Sequence, residues 1–565
     1  MTLVAALCQF PAEINNVIFS YLDMKQLLEC LAVCRQWRDN IPFWIETQER
    51  TLQLSMSQLD NAHPPLQYIG RVVQGIQLAP WRQEVNYQQV IVNLVALDLP
   101  HVDTLQLYFM PAKGSSVIEA SKAWYQLGTK LRRLLLSLKH PTRGQFDVSP
   151  LLRCCPFLTH LAIDYPHFSE PYLKYIGQGR QLQLHYLKFR AHIEMQDLLS
   201  LVRRCPELRY LRIGWNHSMD LKQIFDACPS LKGVGVNTRV FESDDPWWKD
   251  RRHMPMATRR SPTTASIQEL DMYVKFEDLY LQIAAMLNHH CEHLKRLYLD
   301  INIDNWDGRI KQHDLDTLEY DPLPALEEFE YHAYQPAPAK ASFVIPLLKK
   351  CPNLKSIYIN TREAGPIYRA LVGFHLPHLR CLTVSDTDRD MDGLEDLLFS
   401  IANTNTPLER FIFKGDVFRS HWIYQALSQI SSLRHIELDD FEPNVFKARK
   451  RDKKIMTQCL NRLHGDGVTS TPATRNLESI DFFHVEGFMT VDAFGSLRKI
   501  FPLKRVAFHR CGPMSERGLR LLVDREPPLE YLEMHLSSRT MDDKSLEPIL
   551  AYARTKIPII RTPRP

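Results

Sequence analysis

One short pattern recurs along almost the whole chain and constrains the fold more than any other feature. It is (C)P-x-L-x-x-L-x-L, plainest in CCPFLTHLAI (154–163), CPELRYLRI (205–213), CPSLKGVGV (228–236) and CPNLKSIYI (351–359). Weaker copies are CEHLKRLYL (291–299), LPHLRCLTV (376–384), FPLKRVAF (501–508) and PPLEYLEM (527–534). The first apolar position of each copy falls at Val73, Val102, Leu131, Leu158, Leu184, Leu208, Leu231, Ile267, Leu294, Leu326, Leu354, Leu379, Leu408, Leu433, Leu477, Leu503 and Leu529. These seventeen positions span 456 residues in sixteen steps, a mean period of 28.5. The final L-x-L alternates as a half-buried strand does. Segments such as MQDLLSLVRRC (195–205) and SERGLRLLV (515–523) lie between copies and carry helical spacing. A strand and a helix repeated at a fixed period stack as a quasi-one-dimensional array, in which each unit is held mainly by its neighbours.

The pattern resembles the cysteine-containing leucine-rich repeat, whose period is about 20–29 residues with L-x-x-L-x-L at the strand. The resemblance implies an α/β horseshoe, with parallel strands inside and helices outside. The further L-x-x-N/C position is met by Asn216, Asn302 and Cys511 and missed in most copies, so the repeats are degenerate. Two steps are long. They place exposed insertions at 237–266, which is rich in Trp, charge and Pro/Ser/Thr breakers, and at 440–475, which carries KARKRDKK (447–454) on an expected helix. The array is expected over 51–540, with a cap and tail at 541–565, where DKSLEPILAYARTKIPII covers the open end.

The first fifty residues break this period. Pro11 suits a first helical turn. Ile14, Val17, Ile18, Tyr21 and Leu22 form one apolar helical face. Asp23 is a plausible N-cap for a second helix with Leu27, Leu28, Leu31 and Ala32. A third would carry Val33, Cys34 and Trp37, and stop at Pro42. Three short helices cannot bury this much apolar surface among themselves, so the stretch needs a partner. It resembles an F-box, whose usual form is L-P-x-E-I-x-x-x-I-F-x-x-L-x-x-x-x-L-L-x-x-x-x-V-C-x-x-W. Eleven positions match in register: Pro11, Glu13, Ile14, Ile18, Phe19, Leu22, Leu27, Leu28, Val33, Cys34 and Trp37, with Phe10 replacing the usual Leu. The resemblance implies a three-helix F-box over 8–50 that docks on a Skp-family adaptor, and through it on cullin and RING subunits of a ubiquitin ligase. It assigns adaptor binding to Pro11, Ile14, Ile18, Leu22, Leu27, Leu28, Val33, Cys34 and Trp37. A helical cap on the array is the alternative.

Composition narrows the classes. The chain carries 69 Lys and Arg against 65 Asp and Glu, a net charge of +4, which gives no bulk attraction for nucleic acid. The twelve cysteines contain no CxxC pair. Five of them, Cys155, Cys205, Cys228, Cys291 and Cys351, occupy one register of the repeat, which reads as buried free thiols in a reducing, intracellular compartment, cytoplasm or nucleus. Residues 3–7 are too short for a signal core, and no apolar run is long enough to span a bilayer. There is no P-loop, GxGxxG or GxSxG, so neither an enzyme nor a cofactor is expected. The dense cluster NHHCEHL (288–294) reads as a polar turn rather than a metal site, because Cys291 holds the buried register.

The remaining surface is the sheet face between the leucines. Its alternate positions are Tyr186, Lys188, Arg190, Tyr210 and Arg212, followed by Glu269, Asp271, Tyr273, Tyr298, Asp300, Glu328 and Glu330. A basic–aromatic patch of five residues beside an acidic–aromatic one suits protein recognition, and the five are expected to be exposed target-binding residues for an acidic or phosphorylated segment. The combined expectation is the substrate-recognition subunit of an SCF-type ubiquitin ligase, the alternative being a non-degradative interaction scaffold.

Overall fold

The computed structural model describes, with short gaps, residues 73–236, 267–301, 319–440 and 454–561. Before these it describes positions 14, 15, 18, 19, 26, 30, 37, 41, 51–54 and 59. The insertion at 237–266 and the basic run at 447–453 lie outside the described residues. The chain divides into two compact units, Met1–Met272 and Tyr273–Pro565.

Among the described residues of the first unit, nine strands of the main ladder pair in parallel, each with the next: β1 (Thr51–Leu54), β2 (Gly75–Leu78), β3 (Thr104–Pro111), β4 (Arg133–Leu138), β5 (His160–Asp164), β6 (Tyr186–Arg190), β7 (Tyr210–Ile213), β8 (Gly233–Val236) and β9 (Glu269–Val274). In the second unit the ladder runs through β10 (Arg296–Ile301), β11 (Glu328–Ala333), β12 (Ser356–Thr361), β13 (Cys381–Ser385), β14 (Arg410–Lys414), β15 (His435–Asp439), β16 (Ser479–Phe483), β17 (Arg505–His509), β18 (Tyr531–His535) and β19 (Ile559–Arg561). Among the described residues helices lie between many of these strands, and in the second unit each packs on the next, from Ala339–Leu348 to Asp543–Arg554. Parallel pairing requires a crossover connection, and the helix between strands supplies it. This is an α/β array of the leucine-rich-repeat type. No helix among the described residues is long and apolar enough to cross a membrane.

Every one of the seventeen apolar positions read from the sequence stands two residues before a strand, and each is buried. A backbone device sits between them. The carbonyl of the residue just before a strand accepts two consecutive N–H groups from the next repeat. Arg132 O takes those of Thr159 and His160, Glu409 O those of Arg434 and His435, and Glu478 O those of Lys504 and Arg505. Each repeat thus fixes the register of the following strand before side chains are counted.

The cysteine register is structural. Cys155, Cys205, Cys228 and Cys351 are buried free thiols. Cys205 and Cys351 donate to the Leu201 and Leu347 carbonyls one helical turn back, at 3.2 and 3.1 Å. Burial pushes the Cys351 thiol up to about 12, so it stays a neutral hydrophobe at physiological pH. Cys291 lies outside the described residues.

The array extends beyond the copies read from the sequence at both ends. TLQL at 51–54 forms β1 and pairs Leu52 with Ile76. After the helix Asp543–Arg554 the chain adds β19, pairing Ile559 with Tyr531. The C-terminal segment therefore continues the sheet with a strand of three residues. In the second insertion the helix begins at Ile455, after the basic run.

Candidate functional site

At the N-terminus, Ile14, Asn15, Ile18 and Phe19 are helical. Phe19, Trp37 and Ile41 are buried, and the Phe19 and Trp37 rings meet edge to face with centroids 5.4 Å apart. Such a pair contributes about 0.5–1.5 kcal/mol beyond its area. Ile14 is 45% exposed and Ile18 half-buried. Side chains four residues apart on a helix are neighbours, so these two isoleucines share one face. Trp37, expected at the adaptor surface, is buried, with its ring against that of Phe19. Pro11, Leu22, Leu27, Leu28, Val33 and Cys34 lie outside the described residues.

The five expected target-binding residues are brought together in register: Tyr210 faces Tyr186, and Arg212 faces Lys188. Three of the five are nevertheless buried rather than exposed. Tyr186 is buried, with Leu135, Ala162 and the partly buried Tyr210 packed around it. Lys188 is 2% and Arg212 4% exposed. Arg212 Nη1 lies 2.9 Å from Asp271 Oδ2, with the N–H turned off the hydrogen-bond direction. Gly235 stands between Arg212 and Asp271 in register and has no side chain, so the guanidinium reaches across it. Strand alternation sets which face a side chain takes but not whether that face meets water. Tyr210 is half-buried, and Arg190 pairs in register with Asp164 on β5. Of the neighbouring positions, Asp271, Tyr273 and Asp300 are also buried, whereas Glu328 is exposed and Glu269, Tyr298 and Glu330 are half-buried.

The open polar face lies in the second unit, on β14–β18. Its first row in register is Arg410, His435, Ser479, Arg505 and Tyr531; its second is Ile412, Glu437, Asp481, Ala507 and Glu533. The third ends in Phe483, His509 and His535. Arg410 donates to Glu437 at 3.1 Å, and Arg505 reaches Asp481 at 3.3 Å and Glu533 at 3.6 Å. The Arg505 guanidinium also covers the Tyr531 ring, 4.8 Å from its centroid. Tyr531 and His535 both bond Glu533, each at 2.7 Å. Burial pushes the Glu533 carboxyl up, but these two hydrogen bonds outweigh it and hold it below its ordinary value. Glu437 behaves alike, with His435 and Arg410 outweighing burial. Asp481 is pushed up by burial, which the charges of His435 and Arg505 only partly offset. Sequence reading passed over this face because its residues come from five strands spread over more than a hundred positions. The signal was available in the same alternate positions of each copy.

Of the cluster 288–294, Asn288 bonds the Glu319 carbonyl and the Asp321 N–H, both at 3.0 Å, a polar clasp on the following repeat. His289, His290 and Cys291 lie outside the described residues.

Residues 7–45 match the F-box-like family. The chain therefore carries an F-box-like segment followed by arrays of the leucine-rich-repeat type. No curated protein matches it by sequence. Among solved structures it is similar to the TLR13–ssRNA13 complex, with 15% identity and a TM-score of 0.40 over 84% of this chain. It spans 57% of the length of that one. It is also similar to a chain of the yeast Rad7–Elc1 complex, with 11% identity and a TM-score of 0.31, covering 67% of this chain and 80% of that one.

Proposed function

We propose that the protein is the substrate-recognition subunit of an SCF-type ubiquitin ligase, acting inside the cell. The F-box-like segment binds a Skp-family adaptor and through it cullin and RING subunits, and the repeat arrays bind the target protein. The observation that carries this is the pairing of the F-box-like match at residues 7–45 with the open apolar stripe of Ile14 and Ile18. An F-box must keep such a stripe free for its adaptor while burying enough of its own core, here Phe19, Trp37 and Ile41, to hold its helices. The protein itself breaks no bond, since both of its modules are of interaction type.

Target binding falls to the open face of β14–β18. Arg410, Arg505 and Tyr531 offer there the residue types that dominate binding hot spots, each partly held in place by a neighbour. This moves the target surface from the five residues of β6 and β7, of which Tyr186, Lys188 and Arg212 are covered.

The test is affinity purification of the tagged full chain from its own cells, reading adaptor and cullin together, followed by the half-lives of co-purified proteins when the chain is removed. Adaptor with cullin, and a longer-lived client, support a ligase. Adaptor without cullin points to a non-degradative assembly. Neither protein bound would overturn the reading.

A further inference from the structure

A group on β17 and β18 lies far along the chain from the F-box-like segment. Glu533 and His535 stand two residues apart on β18, so both project from one face of the sheet. His509 on β17 is the register partner of His535. One donor atom from each of the three lies within 4.8 Å of the other two. Two imidazoles and a carboxylate form a donor set suited to first-row divalent ions, zinc among the strongest binders. We propose that His509, Glu533 and His535 form a three-ligand site for a divalent transition-metal ion, Zn2+ in the first place, with a further coordination position open to water or to a bound partner.

The surroundings orient the set. Phe483 stacks on His509 with ring centroids 4.2 Å apart, and His509 stacks on His535 at 5.0 Å and 15°. Two nearly parallel rings cannot both hold one ion in their planes. Loading therefore turns His535, the 41% exposed end of the stack, and exchanges its bond to Glu533 Oε1 for one to the metal. His509 stays braced by Phe483. Tyr531 donates to the other oxygen, Glu533 Oε2, at 2.7 Å, which leaves Oε1 for the ion. Arg505, 3.6 Å from Glu533 Oε2, lies on that same far side of the carboxylate. Outer-shell partners of this kind commonly fix a ligand's direction. The backbone contributes as well. Arg510, directly after His509, has φ 52° and gives its N–H to the His535 carbonyl, tying the two strand ends together. His484, directly after Phe483, has φ 56°. Left-handed backbone at non-glycine residues is uncommon and clusters at functional sites.

An ion held here would cross-link β17 to β18, near the end of an array whose terminal repeats have a neighbour on only one side. It would stabilise the folded chain by mass action.

The experiment uses the purified full chain, stripped with a chelator and titrated with ZnCl2 against a chromophoric competitor. His535→Ala and His509→Ala are compared with the parent, folding being checked by circular dichroism. Thiols elsewhere also take zinc, so the readout is the difference between parent and variant. The expected result is the loss of one bound Zn2+, or a weakening of at least about 10-fold, in each variant. The Zn2+-dependent rise in melting temperature should disappear with it. Identical Zn2+ stoichiometry and affinity in the parent and in folded His535→Ala would overturn the site. If His509→Ala does not fold, His535→Ala decides alone, since its side chain is half-exposed. Adaptor binding is read separately and is unaffected by either outcome.

Discussion

The same sheet face is built from the same repeat positions in both units, yet it is more covered in the first than in the second. On β5–β9 of the first unit His160, Tyr186, Lys188, Arg212 and Asp271 are buried, and a single guanidinium spans Gly235 to reach its carboxylate. On β14–β18 of the second unit the equivalent rows hold Arg410, His435, Arg505, Tyr531 and His535, all at least partly open. A repeat pattern assigns side chains to faces. Whether a face becomes interior or binding surface depends on what else the chain lays against it. Lys188 and Arg212 in the first unit are covered, whereas Arg410 and Arg505 in the second pair with neighbours while keeping about half of their side chains exposed.

The comparison breaks most easily at Arg212. Arg212→Ala leaves Asp271 buried without its ion-pair partner, and removing one partner of a buried pair costs about 3–5 kcal/mol. Urea denaturation followed by circular dichroism should show that loss; a change below the surface-pair range would mean that the face is open after all. Tyr186→Ala removes a fully buried ring from the cluster with Leu135 and Ala162. It should cost about 3 kcal/mol, by analogy with other large-to-small aromatic substitutions in cores. Tyr531→Ala on the second unit's open face should cost clearly less in the same assay.

A third prediction uses pH. Burial, helped by the positive charges of Arg133 and His185, takes His160 down from 6.5 to about 3. The unfolded chain takes up this proton below 6.5 and the folded chain does not. The stability contributed by keeping His160 neutral is thus full above pH 6.5 and is lost progressively as the pH falls toward 3. Melting temperature should fall less steeply between pH 6.5 and 4 in His160→Gln than in the parent. Equal slopes would place His160 in contact with water. The smallest effect is expected at Arg410→Ala, whose ion pair with Glu437 involves a half-exposed guanidinium and is worth about 0–1 kcal/mol. It should leave stability nearly unchanged while weakening target capture.

Much of the fold was legible. L-x-x-L-x-L located seventeen strands of the main ladder from Gly75 to Tyr531, because leucine spacing reports burial directly, but not the short strands Glu84–Val85, Phe146–Asp147, Tyr172–Lys174 and His192–Ile193. The terminal strands escape the pattern because TLQL has Glu49 where the other copies have the first apolar residue, and IIR is too short to carry L-x-x-L-x-L. Charged side chains were legible only as to face. Lys188 and Arg212 look like surface residues, and nothing local reveals that a partner such as Asp271 stands beyond a glycine two strands away. Trp37 was misplaced for a related reason: a helical wheel cannot show that Phe19 turns inward to meet it. The His509, Glu533 and His535 group is spread over two repeats and follows no short motif.

The most direct measurement concerns the N-terminal stripe. Purified full-length protein and its Ile14→Asp variant are each mixed with a purified Skp-family adaptor and followed by size-exclusion chromatography with light scattering. Ile14 is exposed, so the variant should fold with an unchanged circular dichroism spectrum. A carboxylate placed in an apolar interface without a partner is costly enough to abolish docking. The expected result is a one-to-one complex for the parent and two separate peaks for the variant. A parent that fails to bind the adaptor, or a variant that binds it equally well, would contradict the assignment of residues 7–45 as the adaptor-docking segment.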